Sequence, residues 1–262
     1  MIESTKNAQV KALSSLIKKS KDRDREGLYV VEGRRMFEEA PDEEIKKIYA
    51  SAGFMERFGN EPSIRKKLEK AGYEILSDPV YEYVSDTRTP QGIMCIIKQK
   101  EYSIDQVMSG EKPFILMVED LQDPGNLGTM IRAGEGAGIT GVVMTSNTVD
   151  IYNPKTIRAT MGSIFRVPVC YVQDMETILE AARKKAITTY AAHLKGENPY
   201  DKEDYSGGTA IIIGNEGKGI KPETAEGADK LVKIPMKGEV ESLNAAVAAT
   251  VLMYEVARQR RY

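Results

Sequence analysis

The amino-acid sequence predicts an α/β protein of two domains, the second built on a mostly parallel sheet. Its 262 residues are enough for two domains that each bury a core. Continuous apolar runs at residues 114–118, 141–144 and 210–213 are typical of strands buried on both faces, and helix-like segments alternate with them. This alternation indicates an open sheet that is covered by helices on both sides.

The first 100 residues predict a smaller α/β unit of their own. Strands are predicted at 28–31, 45–50, 73–76 and 93–97, and helices at 34–40 and 62–71. The polar stretch 98–112 then predicts a connection between the domains. We therefore expect a first domain at 1–105, a linker at 106–112 and a second domain at 113–262.

The second domain continues with a weaker strand and four helices. The strand is predicted at 231–234 and the helices at 126–138, 154–161, 175–185 and 242–258. Asn126 and Ser242 stand where helix N-caps are expected, because their side chains can accept hydrogen bonds from free backbone N–H groups. Ligands of open sheets bind beyond the carboxyl ends of the strands, so the loops that follow the strands form the candidate site.

Composition excludes several kinds of chemistry. His193 is the only histidine, and Cys95 and Cys170 stand alone and far apart. We therefore expect no metal site, no CxxC redox centre and no His-based nucleophilic triad. The sequence shows no leader-like N-terminus and no apolar run of membrane-spanning length, which predicts a cytoplasmic protein with reduced, buried cysteines.

Basic side chains are concentrated near the N-terminus, although the 37 basic and 39 acidic residues of the chain give a net charge of only −2. Residues 6–25 contain seven basic and two acidic side chains. Val10, Leu13 and Ile17 repeat at helical spacing, so one interpretation is a solvated amphipathic helix. The other interpretation adds contacts with nucleic-acid phosphates. The side chains predicted to contact nucleic-acid phosphates in this way are Lys6, Lys11, Lys18, Lys19, Arg23 and Arg25.

Three loops that follow predicted strands are rich in Gly, Asn and acidic residues. The first, 119–128, leads to Arg132, which precedes a Gly- and Ala-rich stretch that is typical of close packing. The second, 214–219, has three glycines in six positions, which lets backbone amides approach a ligand closely. The third, 235–244, leads into an Ala-rich helix. Either of the last two loops alone would indicate only turn and cap chemistry.

Two other glycine patterns do not predict a nucleotide site. Residues 136–141 match GxGxxG, but they end a predicted helix and precede a strand, the reverse of a dinucleotide-binding turn. Residues 217–219 hint at a P-loop, but no Ser or Thr follows Lys218. A nicotinamide-dependent oxidoreductase has no other support in the sequence.

Together, the three loops resemble the signature motifs of the SpoU (TrmH-like) family of RNA ribose 2′-O-methyltransferases, in the SPOUT superfamily. The first motif corresponds to residues 126–128 with Arg132, the second to 213–220, and the third to 234–236 with 241–248. All three occur in the family's order. The first 105 residues are similar in size and pattern to the L30e-like RNA-binding domain that often precedes this catalytic domain.

The resemblance implies a fold, a cofactor and partners that composition alone could not predict. The fold is a mostly parallel sheet whose C-terminal segment forms a trefoil knot. The motif loops hold S-adenosylmethionine, and two subunits form a homodimer with the active site near the interface. The implied substrate is ribosomal RNA. A transfer-RNA ribose methyltransferase and a non-catalytic RNA-binding or ribosome-assembly protein of the same fold are the alternatives.

The resemblance also implies roles for individual residues. Arg132 would act on the ribose hydroxyl, either as a base or, since arginine is normally protonated, by orienting it and stabilising its charge. Asn126, Glu216, Ser242 and Asn244 would position the ribose and Arg132. The residues implied to bind the cofactor are Gly214, Asn215, Gly217, Gly219, Ile234, Met236 and Leu243. His193 and Leu194 would close one side, with His193 in a structural role.

Overall fold

The structure, a computed structural model, describes residues 1–261 and divides into two compact units. Unit 1 comprises Met1–Lys100 together with Asp150–Phe165, and unit 2 comprises Glu101–Val149 and the described chain from Arg166 onward. The segment Asp150–Phe165, which was predicted to belong to the second domain, is therefore part of unit 1. Burial explains the difference, because Ile157 in this segment lies in the core of unit 1.

The first 100 residues form a four-stranded sheet with helices. The helices are α1 (Ala8–Lys18), α2 (Ser20–Glu26), α3 (Arg34–Glu39), α4 (Ala52–Phe58), α5 (Pro62–Ala71) and α6 (Asp78–Val84), and the strands are β1 (Leu28–Glu32), β2 (Ile45–Ser51), β3 (Tyr73–Leu76) and β4 (Ile93–Lys98). The sheet order is β1-β4-β2-β3, with β4 antiparallel to β1 and β2. All four predicted strands of this unit are confirmed. The predicted basic helix is instead two helices, because Lys19 has an extended backbone.

Unit 1 has a hydrophobic cluster on each face of its sheet. Tyr29 and Val31 belong to one cluster and Val30 belongs to the other, because successive strand residues point to opposite faces. The first cluster includes Ile157 and the second includes the buried stripe of α1.

After Lys100 the chain forms a second series of elements. The helices are α7 (Ile104–Val107), α8 (Pro124–Ala137), α9 (Pro154–Thr160), α10 (Met175–Lys184), α11 (Pro222–Gly227) and α12 (Ala245–Arg260), and the strands are β5 (Phe114–Val118), β6 (Gly141–Thr145), β7 (Val169–Val172), β8 (Thr188–Ala192), β9 (Asn198–Pro199), β10 (Thr209–Ile213) and β11 (Lys230–Lys233). Except for α9, these elements belong to unit 2. Val107 and Met108 of the predicted linker are buried in its core, so this stretch is packed rather than free.

The sheet of unit 2 confirms the predicted parallel architecture. Its order is β7-β6-β5-β10-β8-β11-β9, and every neighbouring pair is parallel. The fully buried strands β5 and β10 lie side by side, with Val118 opposite Ile213. The loops that follow these two strands therefore emerge next to each other at the carboxyl edge of the sheet.

The described residues were predicted to contain no membrane-spanning helix and no metal site. Among residues 1–261, no helix combines the length and the apolar composition needed to cross a bilayer. Over the same residues, no group of three or more His, Cys, Asp and Glu side chains is placed to hold a metal ion. Cys95 and Cys170 are both buried and free, as predicted, and burial raises the pKa of Cys170 to about 11.

Candidate functional site

The loop after β10 is closed by its own backbone. The N–H groups of Asn215 and Gly219 each donate to the other residue's carbonyl oxygen, at 3.0 and 2.9 Å. Gly219 has a positive φ of 70°, which glycine adopts without strain. A Cβ atom at Gly214 would lie only 2.3 Å from the Gly219 carbonyl carbon. Lack of space therefore requires glycine at Gly214, and the positive φ favours it at Gly219.

The Asn215 side chain braces this loop, although the sequence predicted that it binds the cofactor. Its Oδ1 accepts hydrogen bonds from the N–H groups of Gly217 and Lys218, both at 3.0 Å. Its Nδ2 donates to the Asp120 carbonyl oxygen at 2.9 Å. Since both ends of the amide are occupied within the protein, the Asn215 side chain holds the shape of the loop, and cofactor binding by this residue stays a prediction.

The loop after β5 begins with a strained residue and ends in a helix cap. Asp120 has a positive φ of 52°, and its carboxylate accepts from Thr145 at 2.8 Å and pairs with Lys221 at 2.7 Å. Burial opposes its ionisation, but these two hydrogen bonds hold the pKa of Asp120 below its usual value. At the far end, Asp123 caps α8 by accepting from the backbone N–H of Asn126.

The prediction that Asn126 is an N-cap is therefore wrong, and its side chain is free for another role. The Asn126 Nδ2 donates to the Glu216 carboxylate at 3.2 Å. Glu216 also accepts from the backbone N–H groups of Gln122 at 3.1 Å and Asp123 at 2.8 Å. Burial favours the neutral acid, yet the pKa of Glu216 is lowered because these donors stabilise the carboxylate. Glu216 thus ties the loops after β5 and β10 together as an anion.

The third loop, after β11, is connected to Asn126 through the side chain of Asn244. Asn244 rather than the predicted Ser242 caps α12, because its Oδ1 accepts from the N–H groups of Ala246 and Val247. Its Nδ2 donates to the Asn126 Oδ1 at 3.0 Å. The side chains of Asn126, Glu216 and Asn244 consequently form one hydrogen-bonded chain across three loops.

A buried carboxylate that the sequence analysis missed supports these loops from below. Glu119, directly after β5, is buried and accepts from the Lys221 backbone N–H at 2.9 Å and from the Thr224 hydroxyl at 2.6 Å. These bonds fix the end of β5 to the start of α11. An acidic residue directly after an apolar strand was the available signal, because a buried carboxylate requires partners.

A cavity of about 440 Å³ lies beside this hydrogen-bonded chain in unit 2. Of the residues predicted to bind the cofactor, those that line it are Gly214, Gly217, Gly219, Ile234, Met236 and Leu243. Glu216 and Ser242 line it as well, whereas Asn215 does not. His193 and Leu194 form part of the wall, as predicted, and the His193 Nδ1 accepts from the Lys195 backbone N–H at 3.1 Å. The sequence analysis missed Lys195, Lys218 and Lys233 in this wall.

The structure places Arg132 on α8, six residues after Asn126, with an exposed side chain. Ser242 is exposed too. Within residues 1–261, neither side chain joins the hydrogen-bonded chain of Asn126, Glu216 and Asn244. Both are therefore accessible to a substrate.

The predicted RNA-binding residues divide into two groups in unit 1. Lys6, Lys11, Lys18, Lys19 and Arg25 are exposed, with Arg25 paired to Asp22 and Glu26. Arg23 is different, and the prediction for it is wrong. Its side chain is only 4% exposed, it pairs with Asp150, and its guanidinium donates to the Leu16 and Ile17 carbonyl oxygens. A side chain with these buried partners cannot reach an RNA phosphate.

Two family models match the chain. The SpoU rRNA methylase family matches residues 113–254, and the MRM3-like substrate binding domain matches residues 7–95. A Bacillus subtilis protein named 23S rRNA (guanosine(2553)-2'-O)-methyltransferase RlmP is 33% identical over 259 residues, covering 97% of this chain and 98% of the relative. The similarity therefore extends across both units.

Solved structures share the fold over nearly the whole length of the chain. The AdoMet-bound rRNA methyltransferase from Sinorhizobium meliloti has a TM-score of 0.86 and 28% identity, covering 98% of this chain and 97% of that chain. The methyltransferase AviRb from Streptomyces viridochromogenes, in complex with AdoMet, has a TM-score of 0.87 at 24% identity, covering 98% and 99%. At that identity the second likeness shows the fold alone.

Proposed function

Because the chain belongs to the SpoU rRNA methylase family, we propose that it transfers a methyl group from S-adenosylmethionine to a ribose 2′-hydroxyl of ribosomal RNA. The observation that carries this proposal is the convergence of three loops distant in sequence. Asn126, Glu216 and Asn244 join them by hydrogen bonds, and Glu216 also lines the cavity. The site thus has a ligand cavity next to fixed polar groups, as a group-transfer enzyme requires.

The cavity suits S-adenosylmethionine in its size and in the character of its wall. Its wall includes Gly214 and Gly217 of the glycine loop together with the apolar residues Ile234, Met236 and Leu243. Such a wall can hold a nucleoside between apolar groups and orient it by a few backbone hydrogen bonds. When bound, the cofactor supplies an electrophilic methyl group on a positively charged sulfur.

The protein's own residues must activate a very weak acid, the ribose hydroxyl. We assign Arg132 to orienting this hydroxyl and stabilising the charge that develops on its oxygen, because its guanidinium offers several donors in a fixed geometry. Asn126 is a positioning residue, since both ends of its amide are held by Glu216 and Asn244. Ser242, exposed at the cavity wall, would contact the substrate.

In this proposal unit 1 binds the RNA substrate and unit 2 carries out the transfer. The protein would act as a homodimer in the cytoplasm, with the C-terminal segment threaded into a trefoil knot.

The support for a dimer is an exposed face of α12, where Val247 and Tyr254 are 49% and 44% exposed. Burying such apolar groups against a second copy stabilises an assembly. Sedimentation equilibrium of the protein and of a Val247→Glu variant tests this, and a wild-type monomer at micromolar concentration contradicts it.

The activity itself is tested by incubating the protein with methyl-labelled S-adenosylmethionine and ribosomal RNA from cells that lack its gene. We expect label in the ribose of one nucleotide, detected as resistance to alkaline cleavage at that position. Transfer RNA from the same cells is the matched control. Absence of label in ribosomal RNA, or label on a base, contradicts the proposal.

A further inference from the structure

We propose that unit 1 carries a base-stacking site for unpaired RNA, centred on Tyr83. The site is the Lys18–Tyr83 surface, which consists of Lys11 and Lys18 of α1, Tyr83 of α6 and Arg158 of α9. This inference rests on the proposed function, because it names how unit 1 holds the RNA. It goes further by assigning a particular aromatic side chain to a particular feature of the substrate.

Tyr83 is exposed on α6, a helix that three buried residues hold against the core. Val80, Tyr81 and Val84 of α6 are buried, whereas the Tyr83 side chain is 55% exposed. A single exposed aromatic residue is common on protein surfaces and has no meaning alone. The surroundings of Tyr83 decide whether it forms a site.

A lysine lies over the Tyr83 ring. The Lys18 Nζ is 5.4 Å from the ring centroid, within the range of a cation–π contact. Lys11 stands two helical turns earlier on the same side of α1 and is also exposed. Cationic groups that track a phosphate backbone, placed beside an aromatic platform for a base, are the elements that single-stranded nucleic acid requires.

The segment after Tyr83 is held rigidly, which preorganises the surface. The Glu32 carboxylate accepts from the hydroxyls of Ser85 at 2.5 Å and Thr87 at 3.1 Å. Asp86, which lies between Ser85 and Thr87, pairs with Arg158 at 2.9 Å. Since less conformational entropy is lost when a fixed surface binds, this order favours recognition.

The three helices that contribute to the surface adjoin one another. Ile17 at the end of α1, Asp86 after α6 and Arg158 of α9 line one small crevice. Lys18 directly follows Ile17 and Tyr83 lies three residues before Asp86, so the Lys18–Tyr83 pair lies near the crevice that Arg158 lines.

The chemistry of this face favours RNA with an unpaired base. Lysine ammonium groups complement phosphates, and a tyrosine ring stacks on any base whose face is open. Bases inside a duplex are covered by their neighbours, so a loop or a bulge is the fitting element. A protein partner would need a larger apolar patch than one aromatic ring.

The test is binding of ribosomal RNA by the full chain, with four variants. Tyr83→Ala should weaken binding roughly five- to 150-fold, and Tyr83→Phe should retain it because stacking needs only the ring. Lys18→Gln should make the negative slope of log affinity against log salt less steep by about 0.7, because one phosphate contact is lost. The matched control is Tyr73→Ala, which removes an exposed tyrosine of β3 in the same unit. Thermal unfolding establishes that each variant is folded.

Photocrosslinking adds a readout that does not depend on activity. With 5-iodouridine-substituted ribosomal RNA transcripts, we expect a crosslink at Tyr83, located by mass spectrometry. If the wild type methylates ribosomal RNA but Tyr83→Ala binds it as tightly as the wild type does, the stacking site is wrong and the proposed function stands. If the wild type methylates no RNA, the proposed function fails. A crosslink of Tyr83 to 5-iodouridine-substituted single-stranded oligouridine would then still support the site, and its absence would overturn it.

Discussion

The Asn244 side-chain amide donates a hydrogen bond to the Asn126 side-chain oxygen at 3.0 Å across 118 positions of sequence. The Asn126 nitrogen in turn donates to Glu216 at 3.2 Å, so Asn126 is held from both ends. These contacts connect loops that follow β5, β10 and β11. The side chains of Asn126, Glu216 and Asn244 thus form one hydrogen-bonded network across three loops.

Replacing Asn126 should disconnect the network without unfolding α8, because Asp123 and not Asn126 caps that helix. We expect Asn126→Ala to reduce methyl transfer about 100-fold through lost positioning. Its thermal unfolding should stay close to that of the wild type. Single-turnover assays with ribosomal RNA measure the effect, and Asn60→Ala, at an exposed turn, is the control. Full activity of Asn126→Ala would show that the network is not used in the reaction.

Glu216→Gln keeps the shape of the side chain but removes the charge that its N–H donors stabilise. Because the folded protein lowers the pKa of Glu216 from 4.5, the carboxylate contributes stability at neutral pH. That contribution disappears as the pH falls below 4.5 through the lowered pKa. Wild type should therefore resist urea better than Glu216→Gln at pH 7, and the difference should shrink towards pH 3. A difference that grows on acidification would contradict the sign of this argument.

Arg132 is exposed, so its replacement should affect the reaction and spare the fold. We expect Arg132→Lys to lower the transfer rate about 100-fold, because an ammonium cannot present the same fork of donors. The free energy of unfolding should change by less than about 0.5 kcal/mol. Calorimetric titration should give an unchanged affinity for S-adenosylmethionine. A variant with normal turnover would remove Arg132 from the mechanism.

Two glycines of one loop should respond differently to the same substitution. A Cβ atom at Gly214 would lie 2.3 Å from the Gly219 backbone, whereas at Gly217 the nearest atom is the Asn215 Oδ1 at 3.7 Å. Gly214→Ala should therefore destabilise the protein by about 2 kcal/mol and weaken cofactor binding about tenfold or more. Gly217→Ala should fold normally. Equal behaviour of the two variants in urea unfolding would show that the loop relaxes freely.

Arg23 should matter for stability and not for phosphate contact. Arg23→Ala removes the ion-pair partner of Asp150, although the Asp150 side chain remains 23% exposed to water. We expect a loss of about 3 kcal/mol in the unfolding of unit 1. Arg25→Ala, on the surface of the same helix, should cost much less, because an exposed ion pair contributes little to stability. Urea unfolding followed by circular dichroism compares the two variants. Equal losses in their free energies of unfolding would contradict the buried role of Arg23.

Much of the fold was predictable because periodicity is a local signal. The apolar runs that became β5, β6 and β10 and the strands of unit 1 follow from hydrophobic pattern alone. Strand β8 escaped prediction because its sequence, Thr188–Ala192, is half polar and yields no apolar run. The position of α9 in unit 1 also escaped, since it depends on contacts such as that of Arg23 with Asp150.

The sequence by itself determined the set of chemical groups at the site: the glycine loop, the single Arg132, and the amides and carboxylate of the three loops. Only the tertiary structure decided which of these groups cap helices, which hold loops and which face the site. It made Asp123 and Asn244 the helix caps, turned Asn215 inward as a brace, and left Asn126 free to join Glu216. The physical reason is competition for hydrogen bonds. Several side chains near a helix start can cap it, and packing selects which one is close enough to do so.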